Sequence, residues 1–510
     1  MTVASYHDWR AGFEWNLPGQ LNMAHEVCDD WAARDPDRVA IIDAQSGAHI
    51  TYGVLRQMAD TLAQHLREKG VARGDRVGVL RAQHAWTAAA HIAVWKLGAI
   101  SIPLFVLFGE QALESRLRDA GAVAVITDAH GAVRLGALVL PELAHVVVPD
   151  DLPVVQGVFE TVSTGPEDPA VLIYTSGTTG GPKGALHGHR ILRGHLPGVE
   201  MSHDLLPQPG DRLWTPADWA WIGGLFDVLM PALWHGVPVV AARFTKFSGA
   251  QAAELIARHK VRNVFFPPTA LKLLKAEGVR LSGLRSVASG GEPLGAEILA
   301  WGRDALGVTI NEFYGQTECN MTVSACGALF EAVPGAIGRA VPGHDVQVID
   351  AVDGIGDIAV RRGSAAMMLG YWNNPQASAA KFRGEWMLTG DRGIQEGETL
   401  RFVGRDDDVI SSAGYRIGPA EIEDCLLGHP AVASAGVVGK PDATRTQIVC
   451  AFVVLKPGAV ASVEALQMHV KTRLAAYEYP REVHFVETLP MTVTGKVMRR
   501  ELRAMLEQMT

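Results

Sequence analysis

The feature that most narrows what this chain can fold into is an alternation, across residues 23–148, of short apolar runs with stretches of helical period. Residues 38–42, 77–80, 99–102, 122–127 and 145–148 are runs of strand length. Between them, Leu55, Met58, Ala59, Leu62, Ala63 and Leu66 recur at helical spacing until Gly70 stops the pattern. Segment 23–33 and a segment through Trp95 also read as helices. Spacing of i, i+3, i+4 lines one helix face with apolar groups, whereas a short unbroken run suits a strand buried on both sides. Strands alternating with helices predict mostly parallel sheet with helices on its faces, an α/β fold. With 510 residues, 48% of them hydrophobic, there is core enough for several domains.

Charge and cysteine usage remove some function classes. A net charge of −9 argues against a nucleic-acid partner held by phosphate contacts. The five cysteines, Cys28, Cys319, Cys326, Cys425 and Cys450, are scattered with no C-x-x-C. That spacing predicts a reducing, cytoplasmic setting, with neither a disulfide framework nor a zinc site. The first residues lack the basic start and apolar core of a signal peptide. The longest apolar stretch, 88–108, contains His91, Lys96, Gly98 and Pro103, so it reads as buried helix then strand and not as an integral membrane segment.

Chemistry concentrates where apolar runs end. After the run 170–173 comes Tyr174-Thr175-Ser176-Gly177-Thr178-Thr179-Gly180-Gly181-Pro182-Lys183-Gly184. Glycines let backbone N–H groups approach and cradle an anion, hydroxyls add donors, and lysine adds a point charge suited to phosphate. It is not a Walker loop, because Pro182 precedes the lysine and Gly184 follows it. A phosphate-holding loop and a flexible linker are the two readings of the stretch taken alone. Three further runs end in glycine and polar groups: residues 287–293 with Gly291, Glu292 and Pro293; 310–318 with Tyr314, Gly315, Gln316, Thr317 and Glu318; and 387–391 with Asp391. Ligands of open α/β sheets bind beyond such strand ends. An aspartate there can accept both ribose hydroxyls or simply cap a turn.

Other segments are less specific. Trp219, Trp221 and Phe226 beside glycines suit either a ligand pocket or ordinary core. Asp227 reads as a solvent-facing or capping helix residue, with an amine-binding carboxylate as the alternative. His187 and His189 fall in or before a helix expected over 187–196, as polar surface or as contacts to an acyl group or phosphate. Segment 402–419 packs Arg405 against Asp406, Asp407 and Asp408 and then supplies Gly414, Tyr415 and Arg416, a charge-dense, glycine-rich stretch suited to a hinge. The remainder, with strands expected at 433–438, 448–455 and 483–486 and a helix at 463–474, reads as a compact α+β domain. Near its end, Lys496 on a Thr-Gly turn is either a mobile catalytic cation or part of a basic tail.

Taken together, and in this order, these segments resemble the adenylate-forming superfamily of acyl-CoA synthetases, amino-acid adenylation domains and luciferases. The resemblance implies a large N-terminal domain of mostly parallel sheets with helices over 1–404. It implies a small, mobile α+β C-terminal domain over 405–510, hinged near Asp407. It also implies two half-reactions: a carboxylate attacks ATP to give an acyl-adenylate and pyrophosphate, and a thiol, coenzyme A, then displaces AMP. By the resemblance Lys496, Glu318, Thr178 and Lys183 carry catalytic roles. Thr175, Ser176, Gly177, Thr178, Thr179 and Lys183 surround the outer phosphates of ATP. Gly291, Glu292 and Pro293 line adenine with Tyr314 stacked on it, beside Gly315 and Gln316. Thr317 meets the α-phosphate, Glu318 holds Mg²⁺, and Asp391 and Arg405 grip the ribose. Gly414 lies along the thiol's tunnel and Arg416 is a phosphate contact.

Residues 414–423, with Asp218 and Trp221, look most like medium-chain acyl-CoA synthetases. Acetate-specific members carry tryptophan where this chain has Gly315, so glycine is expected to leave room for a short- to medium-chain, branched or aromatic acid. Trp221, Phe226, Gly291 and Met321 are the expected walls. Ser411 and Ala413 depart from the usual polar groups of the thiolation loop, and Gly356-Asp357 replaces the usual Gly-Glu. The alternatives are an enzyme loading an amino or aryl acid onto a separate carrier protein, and a nucleotide-binding regulator without chemistry. A monomer or homodimer is expected.

Overall fold

The computed structural model describes residues 5–154, 157–175, 182–244, 246–405, 408–412, 415–442, 445–474, 478–492 and 495–509, with 411, 415 and 416 described by backbone alone. Among them three sheets organise the chain. In one, Arg76–Leu80 lies between Ile100–Pro103 and Ala124–Thr127, with His145–Val147 outside, all parallel. Pro169–Thr175 adds in parallel beside Ile100–Pro103, and Lys183–Gly188 closes on it antiparallel. The largest sheet has a parallel half, in the order Ile310–Gln316, Ser286–Gly290, Asn263–Phe265, Leu213–Trp214, Val239–Ala241, Val39–Asp43.

Its other half is antiparallel: Cys319–Ser324, Gly338–Ala340, Thr399–Arg405, Trp386–Glu396, Ile355–Arg361 and Val346–Val352. The mixed α/β class, with a large N-terminal sheet domain and a smaller C-terminal one, is as expected from the sequence. The refinement is that parallel pairing stops at Ile310–Gln316. Beyond it, several successive strands are joined by turns too short for a crossover helix, and such turns allow only antiparallel neighbours.

The helix Tyr52–Glu68 begins at Thr51, whose hydroxyl accepts the Val54 N–H at 3.4 Å, and buries Leu55, Ala59, Leu62, Ala63 and Leu66. The helix Ala85–Lys96 is buried all round, as a helix between two layers must be. Its face with Ala88, Ala89 and Ile92 joins a core running from Ile41, Phe265 and Ala288 of the largest sheet to Val171 and Ile173 of the other. Its one charge, Lys96, is paired with Asp29 at 2.5 Å and Asp60 at 2.9 Å, because a lone buried ammonium would be costly. The helix expected over 187–196 begins instead at Ile191 and ends at Ser202; His187 belongs to the strand Lys183–Gly188.

The largest sheet's last strand, Thr399–Arg405, ends where the third sheet soon starts, at Ile410–Ser412. That third sheet adds Tyr415–Ile417, Val432–Asp442, Thr446–Leu455 and Glu482–Phe485, covered by helices Pro419–Leu427, Val463–Lys471 and Arg499–Met509. No helix among the described residues is long and apolar enough to cross a membrane.

Candidate active site

Two hairpins and one strand pair build the site. The pairing of Pro169–Thr175 with Lys183–Gly188 sets Thr175 opposite Lys183, so both ends of the phosphate-type loop meet at one place. Gly184 packs closely there, where a Cβ would lie 2.8 Å from Leu172 Cδ1 and displace that side chain. Ser176, Gly177, Thr178 and Thr179 lie outside the described residues. The Lys183 ammonium sits 5.5 Å over the Tyr371 ring, and Tyr371 donates its hydroxyl to Glu318 Oε1 at 2.5 Å. Glu318 occupies the tight turn, with Thr317, that joins Ile310–Gln316 to Cys319–Ser324.

On the first of those strands Tyr314 donates to Asp391 Oδ2 at 2.5 Å. Asp391 faces Arg405 across the antiparallel pair Trp386–Glu396 and Thr399–Arg405, with 3.8 Å between Arg405 Nη1 and Oδ1. Burial raises the Asp391 carboxyl, while Arg405, Tyr314, Lys381 and Lys496 pull it back toward the charged form. Gly390, at φ 80°, makes the bend that aims Asp391, and the Thr389 hydroxyl accepts the Asp391 N–H at 3.1 Å. Gln316 donates to Thr389 O at 3.0 Å and is itself held by Lys381 at 2.8 Å.

Gly291, at φ 101°, turns the chain at the end of Ser286–Gly290; a Cβ there would stand 3.2 Å from the Trp221 ring. Glu292 and Pro293 follow, half-buried. Burial raises the Glu292 carboxyl, opposed by Lys272, Lys496 and Arg499.

Lys496 comes from the small domain. Met491 and Val497 pair across its turn, Gly495 takes φ 87°, and a Cβ on Gly495 would lie 2.9 Å from Thr269 Cγ2 of the large domain. The Lys496 ammonium is surrounded by protein, which lowers its pKa; Glu292 and Asp391 raise it and Arg405 lowers it further. The residue as a whole nevertheless remains exposed to solvent. Thus Tyr314 and Arg405 meet Asp391, and Lys496 lies within reach of the charges of Glu292, Asp391 and Arg405. Asp407 and Gly414 lie outside the described residues, and Arg416 is placed by backbone in Tyr415–Ile417, opposite Ser411.

The expected acid pocket is rearranged. Gly315 does not face open space: a Cβ there would lie 2.5 Å from Met321 N and 2.6 Å from Asn320 Cα. The glycine answers a close backbone approach at the bulge between Tyr314 and Gln316. Met321, at φ 55°, is fully buried and wedged against Gly198. Phe226 is fully buried too, with its ring 5.5 Å from His195 and 6.5 Å from Trp95, inside the core between the sheets. Only Trp221 and Gly291, of the four expected walls, lie at the cleft edge, with Trp221 tilted on Phe265 at 5.5 Å.

Asp227 neither faces solvent nor caps a helix. It is buried, accepts from Asn320 Nδ2 at 2.9 and 3.0 Å, and burial pushes its carboxyl well up. His187 is likewise no surface residue: it is fully buried, and desolvation lowers its imidazole to about 3. His189 is buried as well, with Nδ1 accepting the Met23 N–H at 3.1 Å.

Tyr371 and Lys381 were not singled out by sequence. Neither lies in a glycine-rich or polar cluster that would mark it, and both reach the site only because Gly370–Tyr371 pairs with Lys183–Gly188 and helix Pro375–Ala380 ends beside Gln316.

A fold of this kind, with Thr175 paired to Lys183 at the ends of a glycine-rich segment, a Tyr314–Asp391–Arg405 cluster and a lysine from a second domain near it, is that of an adenylate-forming enzyme. Residues 28–372 match the AMP-binding enzyme family and 421–496 its C-terminal domain, and the chain belongs to that family. It is 32% identical to an acetyl-coenzyme A synthetase of Bacillus subtilis (strain 168), over 95% of this chain and 91% of that protein. It is 31% identical to a mitochondrial acyl-coenzyme A synthetase of Rattus norvegicus, over 96% of this chain and 92% of the other. Among solved structures, ATP-bound MatB from Rhodopseudomonas palustris superposes with a TM-score of 0.86 at 26% identity, covering 96% of this chain and 99% of that one.

Proposed function

We propose that the chain is an ATP-dependent, AMP-forming acyl-CoA synthetase acting on a short- to medium-chain, branched or aromatic carboxylic acid. The observation that carries this reading is the approach of the Lys496 turn to the large domain, where Gly495 packs against Thr269 and the Lys496 ammonium comes under the charges of Glu292, Asp391 and Arg405. In the first half-reaction a carboxylate oxygen bonds to the α-phosphorus of ATP, and the bond from that phosphorus to the pyrophosphate oxygen breaks. Two anions must approach while charge gathers on phosphate oxygens, so preorganised cations lower the barrier. Lys496 supplies that charge at the α-phosphate beside Thr317. Lys183, with Thr175, Ser176, Gly177, Thr178 and Thr179, holds the departing pyrophosphate. Asp391 accepts from the ribose hydroxyls, steadied by Tyr314 and Arg405, while Gly291, Glu292 and Pro293 border the adenine.

Mg²⁺ bound with ATP offsets phosphate charge. Glu318, whose carboxylate is fixed by Tyr371, would be the residue to hold it. In the second half-reaction the coenzyme A sulfur bonds to the acyl carbon, AMP leaves with the electron pair of the broken bond, and the thiol proton passes to solvent. Domain 405–510, turning near Asp407, would bring Gly414 and Arg416 to that step.

A panel of linear, branched and aromatic acids with ATP, Mg²⁺ and coenzyme A, followed by AMP release, tests the reading, with a holo carrier protein as the rival acceptor. Carboxylate-dependent pyrophosphate exchange is expected. Its absence for every acid would leave a nucleotide-binding protein without this chemistry, and transfer to the carrier protein alone would replace coenzyme A as acceptor.

A further inference from the structure

The small domain carries a second cluster of reactive side chains, away from the cleft. In the parallel pair Thr446–Leu455 and Glu482–Phe485, Cys450 stands opposite Glu482 and Phe452 opposite His484. Alternation along a strand puts Glu482 and His484 on one face. The Cys450 sulfur, a ring nitrogen of His484 and a carboxylate oxygen of Glu482 all lie within 4.8 Å of one another. Cys450 is fully buried, whereas the Glu482 and His484 side chains keep 34% and 29% of their surface open, which leaves a path from solvent. His484 Nε2 is buried without a hydrogen bond, 3.5 Å from Glu482 Oε2, and its ring is stacked on Phe452 at 5.2 Å.

We propose that Cys450, Glu482 and His484 form a site for one thiophilic divalent cation of the zinc class, with its fourth position open to water. Zinc takes cysteine sulfur, histidine nitrogen and carboxylate oxygen at roughly 2.0–2.3 Å in a tetrahedron, whose edges are then roughly 3.3–3.8 Å. The 3.5 Å between Nε2 and Oε2 is already such an edge. The other separations, all within 4.8 Å, have to shorten by side-chain rotation when the ion binds. A sulfur and an imidazole do not suit Mg²⁺ or Ca²⁺, so this is a different ion from the one that accompanies ATP.

Lys440 donates to both Glu482 oxygens at 2.9 Å and so occupies the carboxylate that the cation needs. Binding therefore moves the ammonium off at least one oxygen and exchanges the thiol proton for the metal, the proton leaving to solvent. A cysteine binds such a cation as thiolate, so the thiol proton is the one displaced. Thiolate and carboxylate then balance the two positive charges of the ion.

The full-length protein titrated with Co²⁺ as a zinc probe provides the test. A thiolate-to-cobalt charge-transfer band saturating at one ion per chain is expected, displaced by Zn²⁺, with about one proton released per ion. Cys450→Ser should abolish the band, and it and His484→Ala should each weaken Zn²⁺ binding by at least about 100-fold, more than loss of an outer partner does. Lys440→Met should strengthen binding about tenfold, as removal of one competing charge near a half-exposed site does. A wild-type protein that shows no such band overturns the site without recourse to any variant. Zn²⁺ affinity unchanged by Cys450→Ser overturns it as well, and so does weaker binding in Lys440→Met.

Discussion

At the scale of single residues, the cleft depends on side chains whose electrostatics are set by neighbours far away in sequence. Lys496→Ala should cut acyl-adenylate formation by about 10²–10³-fold, the usual cost of losing one group that stabilises transition-state charge. Thioester formation from supplied acyl-adenylate should be spared; equal losses in pyrophosphate exchange and in thioester formation would argue against a lysine used in one half-reaction only. Gly315 was expected to set acid size by leaving space, and Gly315→Trp to shift preference toward acetate. The 2.5 Å approach of Met321 N changes that expectation. Gly315→Ala should lower the melting temperature through overpacking worth about 1–3 kcal/mol, and Gly315→Trp should lower it further, because the ring must displace the Asn320–Met321 backbone. A well-folded Gly315→Trp protein with a sharpened acetate preference would restore the space-filling view. The residue types proposed to surround ATP were legible because each answers a local demand, such as positive φ at Gly390 and Gly291. Asp227 and Phe226 were not, because their burial is decided by layers contributed from elsewhere in the chain.

At the scale of elements, the strand Trp386–Glu396 is braced near Thr389 against the strand Ile310–Gln316 by one lysine. Lys381 donates to Gln316 Oε1 at 2.8 Å, Leu388 O at 3.2 Å and Thr389 O at 3.3 Å, and burial lowers its ammonium pKa while Glu318 and Asp391 raise it. Lys381→Met leaves those carbonyls short of a donor and should cost about 1.5–3 kcal/mol, the range for charge-assisted hydrogen bonds. The KM for ATP should rise with it, because Asp391 loses its support. Denaturant melts and ATP titrations check both, and an unchanged KM would mean the brace serves stability alone. Strand and helix positions were readable from periodicity in the first 150 or so residues. The antiparallel half was less so, since periodicity marks a strand without naming its partner.

At the scale of the whole molecule, the arrangement rests on helix Pro419–Leu427 lying against the large domain. Gly295 there has φ 77°, and a Cβ would be 2.8 Å from the Asp424 carboxylate. Burial raises the Asp424 carboxyl to about 7; Lys272 opposes this, and Glu423, Glu297 and Glu421 add to it. A raised carboxyl stabilises the packed state fully below its ordinary value, and that contribution is lost as pH climbs through about 7. Raising the pH from mildly acidic to mildly alkaline should therefore loosen this domain arrangement, and Asp424→Asn, uncharged throughout, should flatten the dependence. Fluorescence transfer between dyes on the two domains measures it; identical pH curves for the two proteins would rule out Asp424 as the source.

The sequence by itself determined the α/β class, the order of the glycine and polar strand ends, and the family they point to, because turn chemistry and apolar period act over a few residues. Only the tertiary structure decided which of those ends share a cleft. It decided that Tyr314 and Arg405 both meet Asp391, that Lys496 crosses from the other domain, and that Tyr371 and Lys381 join them. It also brought Cys450, Glu482 and His484 together although no cysteine spacing announces them. Register and burial are set by partners tens to hundreds of residues away, and no local pattern records them.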